Sequence, residues 1–94
     1  MTPSEELHNH LTRHQAGIGE VQISWDSVGE DGSMEVRLFD SGGTLFDVWA
    51  GPMIVPPKDA IVWRFLALIV ERALGPNRVR QSTIRNRSIS FKIQ

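Results

Sequence analysis

Three histidines near the start of the chain are the side chains best suited to binding a metal. His8, His10 and His14 lie within seven residues of one another. His10 and His14 are four residues apart, which places them on one face of a helix, with Glu6 one turn earlier. Two imidazoles at this spacing can share a zinc ion. The sequence shows neither the zinc-protease pattern around them nor a third ligand elsewhere, so we expect surface or half-buried histidines, no metal and no cofactor.

Basic side chains in the last third of the chain suggest a different chemistry, the binding of phosphate. Residues 61–94 hold seven bases and one acid, a net charge of +6. The planar fork of arginine suits phosphate, and neighbouring serines and threonines add hydroxyl donors. The candidate nucleic-acid-binding residues are Arg78, Arg80, Arg85, Arg87 and Lys92. Phe91, the only aromatic residue in segment 78–92, is predicted to point inward, so a stacking platform is missing. The alternatives are that these bases pair with the acidic part of the chain or of a partner subunit, or that they are simply solvated.

Acidic side chains dominate the rest of the chain. Residues 1–60 hold ten acids and three bases, a net charge of −7. Such segregation creates local potential even though the whole chain carries a formal charge of only −1. We expect the acidic strands and loops to form a docking face for a basic protein, with a solvated sheet face as the alternative. The predicted protein-binding residues are Glu30, Asp31, Glu35, Phe39, Asp40, Leu45 and Trp49.

Several functional classes find no support in the sequence. The chain has no cysteine, which excludes thiol chemistry, cysteine-ligated zinc and a disulfide scaffold. It has no phosphate-binding loop and no serine in a nucleophile-elbow pattern. The acids near hairpin tips are poorly placed for the desolvation that catalysis requires. We therefore predict that the protein is not an enzyme. A polar, acidic start and a longest apolar run that is interrupted by Arg64 predict a cytoplasmic location without membrane insertion.

The elements that would position these side chains can be predicted from periodicity. Thr2 and Pro3 begin a helix over 3–16, which Gly17 and Gly19 are expected to end. Alternation with period two predicts strands over 20–26, 34–39 and 44–50. In the third of these strands we expect Phe46 and Val48 to face inward and Leu45, Asp47 and Trp49 to face outward.

The second half of the chain predicts a long helix followed by a hairpin. Apolar residues cover most of the circumference of a helix over 57–74, which Gly75 and Pro76 end. A helix this apolar is either covered within the chain or pairs with a second copy. A strand at 88–93, with a further one at 79–84, completes the chain. We predict a single small α+β domain over 1–94, with the order α-β-β-β-α-(β)-β and an antiparallel sheet packed on the long apolar helix.

These features together favour a non-enzymatic protein that acts through protein–protein contact. We expect an acidic recognition surface and a homodimer formed through helix 57–74. A small inhibitor or adaptor of a phage or bacterium would fit this description. The alternative is a nucleic-acid-binding protein that uses segment 78–92.

Overall fold

Helices packed on one face of an antiparallel sheet confirm the predicted small α+β fold. The computed structural model describes residues 2–29 and 31–94, with the side chains at positions 81 and 82 left aside. Within these residues, two helices and five strands follow one another. They are α1 (Pro3–Arg13), β1 (Glu20–Trp25), β2 (Ser33–Phe39), β3 (Leu45–Pro52), α2 (Val62–Leu74), β4 (Val79–Arg85) and β5 (Ser88–Ile93).

The five strands form one antiparallel sheet in the order β3-β2-β1-β5-β4. The first strand therefore lies at the centre, and β3 and β4 form the two edges. Alternate residues of β1, β2 and β5 are buried on one face, as at Ile23, Val36 and Ile89. They join residues of both helices in a single hydrophobic core. Because the core lies on that side, the other face of the sheet, which we call the outer face, carries exposed and half-buried side chains.

Helix α1 begins as predicted and ends earlier than predicted. The hydroxyl of Thr2 accepts a hydrogen bond from the amide of Glu5 at 3.2 Å, which caps the helix. The helix ends at Arg13, three residues short of the prediction. The prediction that Gly17 and Gly19 end the helix is wrong, and neither has the positive φ of a left-handed glycine cap. Gly19 is needed for a different reason: a Cβ atom there would lie 2.6 Å from the carbonyl oxygen of Asp40.

Helix α2 starts five residues later than the predicted boundary at Pro57. Asp59 has a φ of 71°, a left-handed conformation that a right-handed helix cannot include. The preceding connector is part of the core, because Met53 and Ile54 are each 1% exposed. Gly75, with a φ of 96°, ends the helix as predicted.

The apolar surface of α2 is mostly covered within the chain. Five of its residues are buried, and four more pack partly against the core. Leu68 remains 39% exposed, and Ile61, which precedes the first turn, is 47% exposed. The sheet and α1 therefore account for most of the burial that the sequence required.

Candidate functional site

The outer face of β2 and β3 brings together three of the predicted protein-binding residues. Phe39 and Leu45 are paired across the two strands, so their side chains are neighbours on that face. Glu35 lies on the same face of β2, four residues from Phe39, and forms an ion pair with Arg37. Because Arg37 neutralises Glu35, the acidic character of this face comes chiefly from the loops at its ends.

The acidic residues in those loops differ in what they do. The carboxylate of Asp40 accepts hydrogen bonds from the amides of Gly42 and Thr44, both at 2.9 Å, and so closes the turn between β2 and β3. Asp31 is exposed in the loop between β1 and β2. Glu30, the remaining acidic prediction, lies outside the described residues. Asp40 therefore has a structural role in addition to its charge.

Trp49 lies on the inner face of the sheet, and the predicted outward orientation is wrong. It is paired with the buried Val36 and packs against the hydrophobic core. A Cβ atom added at Gly51, the next inward position, would lie 2.8 Å from the tryptophan ring. The cause is a β-bulge, since Leu38 is paired with Asp47 and Phe39 with Leu45, which leaves Phe46 as an extra residue. The extra residue reverses the two faces for the rest of the strand.

The reversal leaves apolar side chains exposed along the open edge of the sheet. Leu45, Phe46 and Val48 are 45%, 41% and 49% exposed. β3 is the last strand of the sheet and has β2 as its neighbour on one side. The other edge of the β3 backbone pairs with no strand among the described residues. The apolar residues at both odd and even positions of 44–50 were the only sequence signal for this feature.

The basic residues of the second candidate site lie in three different places. Arg80, Arg85 and Lys92 belong to the outer face of β4 and β5, where Arg80 is paired with Lys92 and Arg85 with Ser88. Arg78 instead connects distant parts of the chain. Its guanidinium donates hydrogen bonds to the backbone oxygens of Gln94 and Gln15 at 2.8 and 3.2 Å. Arg87 lies in the tight turn between these strands with a φ of 62°.

An open polar groove of about 410 Å³ crosses the outer face between β1, β5 and β4. Its lining includes Arg85, Lys92 and the hydroxyls of Ser88 and Ser90. It also includes Glu20, whose carboxylate accepts a hydrogen bond from Lys92 at 2.8 Å. That bond, helped by a second from Gln22, lowers the pKa of Glu20 below its ordinary value. Lys92 is thus already paired with an acid of its own chain.

Two of the three histidines contact an aspartate that no sequence pattern associates with them. Nε2 of His10 lies 2.8 Å from Oδ2 of Asp47, and Nε2 of His14 lies 3.4 Å from the same oxygen. We call these three residues the His–Asp cluster. The helical spacing of the histidines could be seen in the sequence, but Asp47 comes from β3 and reaches them only through the fold.

The His–Asp cluster is partly enclosed. His10 is 7% exposed, and burial lowers its pKa from the ordinary value against the opposing attraction of Asp47. The rings of Trp49 and Phe46 lie 6.1 and 5.9 Å from those of His10 and His14. Nε2 of His10 and Oδ2 of Asp47 are both buried, and at 2.8 Å each is the polar partner of the other.

Comparison with known proteins adds no family to these observations: no family model, curated protein or solved structure matches the chain. Across residues 2–29 and 31–94, neither helix has the length and apolar character needed to cross a membrane.

Proposed function

We propose that the protein is a non-enzymatic, cytoplasmic binding protein of the inhibitor or adaptor type. In this proposal, an extended segment of a basic protein pairs with the open edge of β3 and covers Phe39 and Leu45 on the adjoining outer face. The observation that carries the proposal is the unpaired edge of β3 together with its exposed apolar residues. No catalytic step is required of any residue.

The backbone of β3 supports strand addition as the mode of contact. An edge strand presents unpaired N–H and C=O groups to which another chain can bond. Proteins usually protect such edges with lysines, prolines or bulges. Here the bulge is confined to the Leu45 end, and Pro52 lies at the other end. The stretch between them has neither proline nor lysine, so its backbone is available to a partner strand.

The charges around β3 favour a basic partner. Asp40 precedes the start of the strand, and Asp31 lies in the loop near its far end, because Ser33 is paired with Pro52. Complementary charge at the rim of an interface accelerates association and rejects partners of the wrong sign. A partner segment that alternates apolar residues with lysine or arginine would match both the exposed side chains and these acids.

Affinity capture with matched edge variants tests the proposal. Val48→Lys places a charge on the β3 edge, and Ile84→Lys places one on the β4 edge at a residue of similar exposure, 42% against 49%. We expect nuclease-treated lysate to yield a protein that binds the wild type and Ile84→Lys, and that is lost with Val48→Lys. Circular dichroism should show both variants folded. Equal loss with both variants, or loss only with Ile84→Lys, would contradict the β3 assignment.

We also propose that the protein forms a homodimer through α2. Support comes from the exposed Leu68 and the half-buried Phe65, which line an open groove of about 330 Å³ between the two helices. Light scattering should give a mass near twice 10.6 kDa, and Leu68→Glu should return the chain to a monomer. A monomeric wild type at all accessible concentrations would remove this part of the proposal.

Nucleic-acid binding is the second candidate function, favoured by the position of Arg80 and Arg85 on the outer face. Fluorescence anisotropy with labelled single- and double-stranded oligonucleotides tests it. Our main proposal expects no sub-micromolar binding at physiological salt. If binding is found, replacing both arginines by alanine should weaken it similarly for every sequence and reduce its salt dependence by about two phosphate contacts.

A further inference from the structure

We propose that the His–Asp cluster is a binding site for a divalent transition-metal ion, with Zn²⁺ as the ion that fits it best. The donors would be Nε2 of His10, Nε2 of His14 and Oδ2 of Asp47. This proposal is independent of the protein-binding function, because it rests on other side chains and predicts a different ligand.

The chemistry of the donors matches zinc. Two imidazoles and one carboxylate are common zinc ligands, and sites with three protein ligands leave the fourth position to water or another molecule. The same donor set also suits iron(II) and other ions of the first transition row. Calcium and magnesium prefer oxygen donors, so they are poor candidates.

The distances also fit. All three donor atoms lie within 4.8 Å of one another. A tetrahedral zinc ion with bonds of about 2.0–2.1 Å holds neighbouring ligand atoms about 3.3 Å apart. The two measured distances to Asp47, 2.8 and 3.4 Å, lie on either side of that value. Small side-chain rotations are therefore sufficient to bind an ion.

The structure has already fixed the directions of these side chains. One helical turn separates His10 from His14, so both rings project from the same face of α1. The bulge in β3 turns Asp47 inward, beneath that helix. The nearby rings of Trp49 and Phe46 restrict water on one side, as an apolar shell does around many metal sites.

The donor atoms of the cluster are already largely withdrawn from water. His10 is more than nine-tenths buried, and its Nε2 faces the buried Oδ2 of Asp47 at 2.8 Å. An ion between them would accept a lone pair from each. Arg13 and Glu6 line a groove of about 310 Å³ beside His10, and this groove offers a route from solvent to the fourth ligand position.

Titration of the tag-free, chelator-treated chain with Zn²⁺ and Co²⁺ tests the proposal. We expect a single equivalent to bind, the visible absorption of Co²⁺ to show nitrogen and oxygen ligands in low coordination, and the melting temperature to rise with metal concentration. In NMR spectra the ring signals of His10 and His14 should shift, whereas those of His8 should not.

Substitutions distinguish a specific metal site from nonspecific metal binding by a histidine-rich helix. Asp47→Asn preserves shape and removes a charged ligand, and His14→Gln changes a residue that is less buried than His10. Each should weaken binding at least about tenfold. His8→Gln is the matched control on the same helix and should leave affinity unchanged. Absence of tight binding, or equal losses with His8→Gln and Asp47→Asn, would overturn the proposal.

Discussion

Strands β3 and β4 form the two edges of one sheet, but they differ in what covers them and in what they expose. Inward side chains of β3 lie under α1, where Trp49 and Asp47 meet the histidine rings. An inward side chain of β4, Ile84, remains 42% exposed although it is paired with the buried Ile89. On the outer face the two strands differ in the polarity of their exposed side chains. β3 exposes the apolar Val48, whereas β4 exposes Arg80 and Arg85.

This difference shows how one sheet can carry two chemically distinct surfaces. At β3, one face is buried and the edge exposes apolar side chains. A protein partner that covers this apolar surface removes it from water, which favours association. At β4, exposed arginines and hydroxyls are already well solvated and gain less from being covered. The proposed functions follow this division, with protein contact assigned to β3 and phosphate contact to β4 as the alternative.

Removal of the Trp49 ring should have the largest effect on stability. Trp49→Ala should lower the free energy of unfolding by about 2–3 kcal/mol, somewhat less than for a fully buried tryptophan because the ring keeps partial exposure. Val48→Ala, one residue earlier on the outer face, should change it by no more than about 0.5 kcal/mol. Urea denaturation of both variants measures the difference.

The equivalent change at the other edge completes this comparison. Ile84→Ala should cost less than about 1 kcal/mol, because the side chain is already partly in water. If Trp49→Ala proved as mild as Val48→Ala, the inward orientation of Trp49 and the bulge that causes it would be wrong.

Charge reversal in the acidic loops should have a smaller, unequal effect. Asp40→Lys removes the acceptor of two backbone amides and should cost about 1–2 kcal/mol. Asp31→Lys changes an exposed charge and should stay within about 0.5 kcal/mol. Thermal unfolding of the two variants checks this, with Asp40→Asn as a control that keeps one acceptor oxygen. Equal melting temperatures for both lysine variants would show that the turn does not depend on Asp40.

The ion pair on the basic half of the sheet should contribute least. Lys92→Met removes the principal cause of the lowered pKa of Glu20, so that pKa should rise toward its ordinary value. Since folding lowers this pKa, the stabilisation from Glu20 is present above its unfolded pKa and is lost as the pH falls through the folded value. An exposed pair of this kind is worth less than about 1 kcal/mol. NMR titration of the Glu20 carboxyl carbon measures the shift, and an unchanged pKa would contradict it.

Local patterns were sufficient to predict most of the fold. Alternation in β1, β2 and β5 placed Ile23, Val36 and Ile89 on the buried face, and Thr2 marked the start of α1. The later start of α2 could not be predicted from helix propensity, because it depends on the left-handed conformation at Asp59 and on the burial of the connector.

The candidate sites were harder to predict, because they depend on contacts between distant parts of the chain. One extra residue at Phe46 exchanges the two faces of β3, and periodicity cannot reveal a bulge in a strand that is apolar on both faces. The same exchange places Asp47 beside His10, thirty-seven residues away in sequence. Thus a single local irregularity accounts for both the misplaced Trp49 and the unforeseen His–Asp cluster.

Hydrogen exchange of the backbone amides tests the central claim, that a partner adds a strand to β3, most directly. It should be measured for the free protein and for its complex with the captured partner. In the complex, the β3 amides that do not bond to β2 should exchange at least about tenfold more slowly, because the new strand would bond to them. The exchange of the β4 amides should not change. Slower exchange confined to β4, or none at either edge, would contradict the account.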